Sequence, residues 1–117
     1  MAQLNPKLTT YQKIVANYIA ELGTQYSQAK GSSLEYEQIC DLVNNHFQLV
    51  QLGWVNGDFF YQTLIHIDTK PDGKIWIQQN NTEISIGAEL IKQGIEASDL
   101  VIGFRPAALR DLIHFNA

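Results

Sequence analysis

The sequence is short of positive charge, of cysteine and of long apolar runs, and each shortage removes a class of function. Eight lysines and arginines stand against twelve aspartates and glutamates, a formal net charge of −4. The basic residues are scattered, and acidic neighbours such as Asp68, Asp72 and Asp111 interleave with them. Affinity for a nucleic-acid backbone comes mainly from cations that neutralise phosphates. Without a basic stripe, tight direct DNA binding is not expected. The one cysteine, Cys40, cannot close an internal disulfide, which points to a reducing, cytoplasmic setting. No apolar stretch approaches the length of a membrane span. Nor does a charged segment lead into an apolar run near Met1, so neither a membrane anchor nor a secretory signal is expected.

What is present is a composition that forms a core. Hydrophobic residues make up 45% and charged residues 17% of the 117 residues, which fits one folded domain over residues 1–117 and argues against disorder. Leu8, Tyr11, Val15, Tyr18 and Leu22 recur at helical steps, with Ile14 and Ile19 beside them. That stripe predicts a long amphipathic helix. Pro6 suits its first turn, and Gly31-Ser32-Ser33 ends it after about Ala29. Residues 34–40 alternate as a strand would, reaching about Asp41 before a loop through Asn44-Asn45. Ser32 followed by Glu35 is also a capping box, so a helix start is the alternative there.

Two turns organise the middle of the chain. Asn56-Gly57 between apolar runs signals a type I′ hairpin, which sets Trp54 opposite Phe59, Leu52 opposite Tyr61 and Val50 opposite Thr63. Pro71-Asp72-Gly73 suits a three-residue loop that sets Ile67 opposite Ile77. Because side chains alternate between faces, these loops place Val50, Leu52, Trp54, Phe59, Tyr61, Ile65, Ile67, Ile75 and Ile77 together. That face is expected to be the core, packed on the long helix. The other face then carries Phe47, Leu49, Gln51, Phe60, Gln62, Leu64, His66, Asp68, Trp76 and Gln78. It is half polar yet rich in aromatics, so either the terminal helices divide between the two faces or this face meets a partner.

Asn80-Asn81-Thr82-Glu83 reads as a helix start. Ile84, Ala88 and Ile91 line one side of that helix, Gly94 takes its left-handed cap, and Ile95 packs back on Leu90. Residues 98–102 form a short apolar segment stopping at Gly103. Pro106 opens a last helix through Leu109, Leu112 and Ile113 to Phe115. The expected fold is α+β: a long N-terminal helix, an antiparallel meander of about four strands, and C-terminal helices.

Candidate chemistry centres on His66 and Asp68, which share a strand face, so that a carboxylate can orient an imidazole base. No nucleophile completes the pair: Cys40 is distant in sequence, and Ser85 and Ser98 sit in helix-capping settings. His66 and Asp68 with His46 make a three-donor set whose spacing is irregular for a metal site. Trp76, without basic neighbours, reads as core or interface rather than as a stacking platform for a base. Neither catalytic residues nor a metal or other cofactor is therefore expected. Phe60, Leu64, His66, Asp68, Trp76 and Gln78 are the candidate partner-binding residues, and Arg105 and Arg110 are candidate contacts to an anion or an acidic partner.

His66-Ile67-Asp68, followed by Gly73-Lys74-Ile75-Trp76-Ile77-Gln78, resembles the signature of the XisI family. Leu52-Gly53-Trp54 is similar to the family's strand end, Thr82-Glu83 with Glu89-Leu90 and Gly94-Ile95 to its helix, and residues 99–104 to the segment that follows. The likeness runs over residues 8 to 117. It departs at Asn44-Asn45-His46, where members often carry a charged run, and at Arg105, where they often carry histidine. The resemblance implies a cyanobacterial accessory factor rather than an enzyme. Such a factor controls excision of a DNA element, the fdxN element, by a site-specific recombinase, through protein contacts with a XisH-like protein and without a membrane partner. Self-association is compatible with it. A small hydrolase using His66 and Asp68, and a direct DNA-binding regulator, are the alternatives.

Overall fold

A computed structural model of the chain describes residues 6–29 and 33–110, the last two of these by their backbone alone. The order of elements is α1 (Pro6–Ser27), β1 (Glu35–Asp41), β2 (His46–Val55), β3 (Asp58–Thr69), β4 (Ile75–Asn80), α2 (Ile86–Lys92), a 3-10 turn at Ala97–Asp99, β5 (Leu100–Ile102) and α3 (Ala107–Arg110). The strands form one five-stranded sheet in sequence order. β1 to β4 are antiparallel, as the meander requires. β5 is parallel to β4, because α2 carries the chain back across the sheet before it starts. That fifth strand was not expected. It occupies the short apolar segment before Gly103.

Both turns form with the expected pairings. Asn56 and Gly57 have φ of 50° and 86°, as a type I′ turn demands. Trp54 then pairs with Phe59, Leu52 with Tyr61 and Val50 with Thr63. In the second loop, Gly73 N–H donates to Lys70 O at 2.9 Å and Lys70 N–H to Lys74 O at 2.9 Å, and Ile67 pairs with Ile77.

Two bulges interrupt the ladders, and the one in β3 makes the faces differ from expectation. Leu49 pairs with Ile65 but Val50 with Thr63, so Leu64 is an inserted residue. His66 pairs with Gln79 but Ile67 with Ile77, so Gln78 is another. One inserted residue moves everything beyond it to the other face. The expected core face is therefore split. Ile65, Ile67, Ile75 and Ile77 are fully buried, and Phe47 and Leu49, expected on the opposite face, join them. Trp54, Phe59 and Tyr61, expected in the core, are exposed.

The isoleucine face packs on the long helix as expected. Tyr11, Val15, Tyr18, Ile19 and Leu22 of α1 share one cluster with it and with Ile86 and Leu90 of α2. Each such side chain stabilises the fold by roughly 1.5–3 kcal/mol through burial. α1 and α2 thus both cover this face, and do not divide between the two.

The C-terminal part is less helical than expected. α2 starts at Ile86, not at Asn80-Asn81-Thr82-Glu83. Asn80 Oδ1 accepts from Thr82 N–H at 3.0 Å, and Thr82 Oγ1 accepts from Ile84 N–H at 3.1 Å. These side-chain turns compete with helical hydrogen bonds. The end of α2 is as expected: Gly94 has φ 116°, and Ile95 N–H donates to Leu90 O at 3.1 Å, closing a Schellman cap. The expected continuation of the last helix through Leu112, Ile113 and Phe115 lies outside the described residues. Among the described residues no helix is long and apolar enough to cross a membrane.

Candidate functional site

On the face away from α1, β2 and β3 bring polar side chains together by register. His46 lies directly across from Asp68, and Gln48 across from His66. Asp68 Oδ1 sits 2.7 Å from His46 Nδ1 and 2.8 Å from His66 Nε2. Gln78 Nε2 donates to the other oxygen, Oδ2, at 3.1 Å. Gln78 is also the bulge residue of β4, and it lies on the face that carries His66 and Asp68. Behind His66, Gln48 Nε2 lies 3.3 Å from Nδ1. The two imidazole rings meet edge to face at 6.1 Å.

Burial is graded across this group. Asp68 is 7% exposed, whereas the side chains of His66 and His46 are 28% and 53% exposed. Burial alone pushes the Asp68 carboxyl up, but the hydrogen bonds from His46, His66 and Gln78 outweigh it and hold the group below its ordinary range. The carboxylate is thus a buried anion met by three side chains. Among the described residues, no hydroxyl or thiol is a hydrogen-bond partner of this carboxylate. Cys40 lies on β1, where partial burial pushes its thiol pKa up, away from a reactive thiolate.

The expected partner-binding residues do not form one patch. His66, Asp68 and Gln78 are brought together, and Trp76 stands across from Asp68 on β4. Lys70 Nζ lies 5.9 Å from the Trp76 ring. Gly103 abuts the same indole: a Cβ there would lie 3.1 Å from Trp76 Cε3 and would collide with Gln78 Oε1. Leu64 belongs to the buried cluster instead, since the bulge turns it inward. Phe60 pairs with Gly53 far along the hairpin. Arg105 N–H donates to Ile102 O at 3.2 Å and its guanidinium lies 5.8 Å from the Phe104 ring. The Arg110 side chain lies outside the described residues.

Of a second surface, sequence reasoning named only Phe60. At the tip of the β2–β3 hairpin, Trp54, Phe59 and Tyr61 on one face and Val55 and Phe60 on the other are all exposed, Trp54 by 65% and Tyr61 by 61%. The Trp54 and Phe59 rings stack edge to face at 5.3 Å. One signal was available: Phe59-Phe60-Tyr61 are consecutive, and consecutive strand residues cannot all face one core. A cleft of about 470 Å³ also runs between α1 and α2, past Tyr18, Leu22 and Glu89. It lies on the helix-covered side of the sheet, so it is no part of the histidine cluster. Tyr18 donates to Glu89 across it, and burial first, then that bond, pushes the phenol pKa up.

Helices on one face of a mostly antiparallel sheet define a two-layer α+β domain. The sequence profile described as XisI protein matches residues 6–117. The chain belongs to the XisI family. A XisI-like protein from Anabaena variabilis ATCC 29413 is similar in structure, with 31% identity, a TM-score of 0.80, and coverage of 91% of this chain and 94% of that one. The fdxN element excision controlling factor XisI from the same organism is similar in fold at 23% identity and a TM-score of 0.75, over 92% of this chain and 95% of that one. No curated protein matches the chain.

Proposed function

We propose that this XisI-family chain is a non-enzymatic accessory factor that works by docking on another protein through the tip of its β2–β3 hairpin. The observation that carries this is the exposed group Trp54, Phe59 and Tyr61 on one face of the tip, backed by exposed Val55 and Phe60 on the other. Holding several large apolar side chains in water at one place is unfavourable, and clustered aromatics are the usual anchors of protein interfaces. Trp54 and Phe59 already pack on each other, so little ordering remains to be done on docking. The partner is a XisH-like protein, and the process is excision of a DNA element by a site-specific recombinase. The support for this role is family membership and likeness in fold to a protein that is itself an excision controlling factor.

Two other readings are weaker. A net charge of −4 opposes direct binding to DNA phosphates. A hydrolase centred on His66 and Asp68 finds no nucleophile bonded to the pair among the described residues, and both imidazoles spend a ring nitrogen on Asp68. Co-expression with a XisH-like protein tests the proposal. The wild type should co-purify with it, and the Trp54→Ala/Phe59→Ala double variant should not, while remaining folded. Equal recovery of both would overturn the docking site.

A further inference from the structure

We propose that His46, His66 and Asp68 form a binding site for a divalent transition-metal ion of the zinc class. The inference is independent of the docking surface, which lies elsewhere on the hairpin. Three donor atoms, one from each residue, lie within 4.8 Å of one another. Two sides of that triangle, at 2.7 and 2.8 Å, are now hydrogen bonds to Asp68 Oδ1. In a tetrahedral site with bonds of about 2.0–2.2 Å, donors stand roughly 3.3–3.5 Å apart. To hold an ion the short sides open by about half an ångström, and the third, at most 4.8 Å, adjusts to the same spacing.

The backbone already fixes the donors. His46 and Asp68 are direct cross-strand partners on β2 and β3, which are interior strands of the sheet. His66 shares its face with Asp68 two positions away on the same strand. Outer groups of the right kind are also in place. Gln78 holds Asp68 Oδ2, leaving Oδ1 to point between the imidazoles. The Gln48 amide stands at His66 Nδ1; with its oxygen turned inward, it would accept Nδ1–H and fix the tautomer that presents a bare Nε2.

The chemistry selects the ion. Two imidazoles and one carboxylate suit Zn2+, Co2+ or Ni2+, whereas Mg2+ and Ca2+ require shells of oxygen. Binding changes no oxidation state. Each neutral imidazole moves its ring proton from the coordinating nitrogen to the other one, and the ion sheds water. Three protein donors leave a fourth position for water, on the side where His46 is half exposed.

The test is Zn2+ titration of the chelator-treated full chain by calorimetry, with Co2+ as a spectroscopic probe. The wild type should bind one equivalent, with the intense visible bands of a four- or five-coordinate Co2+ ion, and Mg2+ should not compete. His46→Ala and His66→Ala should each weaken Zn2+ binding by more than about tenfold, and Gln78→Ala by about tenfold. Should either alanine variant fail to fold, His46→Gln replaces it, since His46 is half exposed. Zn2+ binding to the wild type that is no tighter than to the folded histidine variants would overturn the site. That result would leave the cluster as a hydrogen-bond network that satisfies buried Asp68.

Discussion

Tyr11 near the start of α1 donates its hydroxyl to Asp99 Oδ2 at 2.6 Å, joining residues 88 apart in the chain. Lys7 Nζ reaches the same oxygen at 3.2 Å, and Glu96 N–H donates to the Tyr11 oxygen at 3.3 Å. This contact ties the first helix to the turn that launches β5. It makes the parallel edge strand depend on α1, although no sequence pattern connects them.

The Tyr11–Asp99 contact gives a pH dependence of known sign. Burial pushes the Asp99 carboxyl up, but the hydrogen bonds from Tyr11 and Lys7 and the charges of Lys7 and Lys74 outweigh it, so its pKa lies below the ordinary value of 3.8. A carboxyl with a lowered folded pKa stabilises fully above its unfolded pKa, and that stabilisation disappears as pH falls through the folded one. Wild-type stability should therefore drop as pH falls below 3.8. Tyr11→Phe should cost about 1.5–3 kcal/mol at neutral pH and should flatten that acid slope. Urea unfolding across pH checks both; an unchanged slope in the variant contradicts the assignment.

Ile67 sits fully buried between β2 and β4, facing α1. Ile67→Asp places an unpaired charge there and should cost more than about 4 kcal/mol, a large part of the stability of a domain this size. Denaturant unfolding measures it directly. A loss below about 1 kcal/mol, typical of a surface position, would mean that this face is not the core.

How far the sequence could be read divides at the two bulges. Asn56-Gly57 and Pro71-Asp72-Gly73 are local signals, and the pairings they imply, such as Trp54 with Phe59 and Ile67 with Ile77, all form. Which side chains share a face depends on every residue between two turns. Leu64 and Gln78 each add one, and nothing in their residue types marks them as inserted. Counting parity across Leu64 therefore sent Trp54 and Tyr61 inward and Phe47 and Leu49 outward. The His66–Asp68 pair survived because both residues lie on one side of the Leu64 bulge. Its meeting with His46 follows from the register on that side. Leu100-Val101-Ile102 was too short to show a period, and its pairing with β4 is set by α2 rather than by its own composition.

A side chain at Gly103 would crowd Trp76 and would have to displace the Gln78 amide. Gly103→Ala should destabilise the chain by about 1 kcal/mol, because the Gln78 amide must move aside and its bond to Asp68 is put at risk. The loss should shrink in a Gln78→Ala background, where that clash is gone. A double-mutant cycle of unfolding free energies reads the coupling; strict additivity would mean that the two side chains do not compete.

The exposed hairpin tip separates docking from folding more cleanly than any other part of the molecule. Trp54 is 65% exposed, so its removal should change folding stability by less than about 1 kcal/mol. The most direct measurement is the affinity of Trp54→Ala for a XisH-like protein by calorimetry, with the unfolding midpoint of the same sample. The docking account predicts a loss of more than about 1 kcal/mol in binding, roughly fivefold or greater, with the midpoint nearly unmoved. Wild-type affinity in a folded Trp54→Ala variant would contradict it.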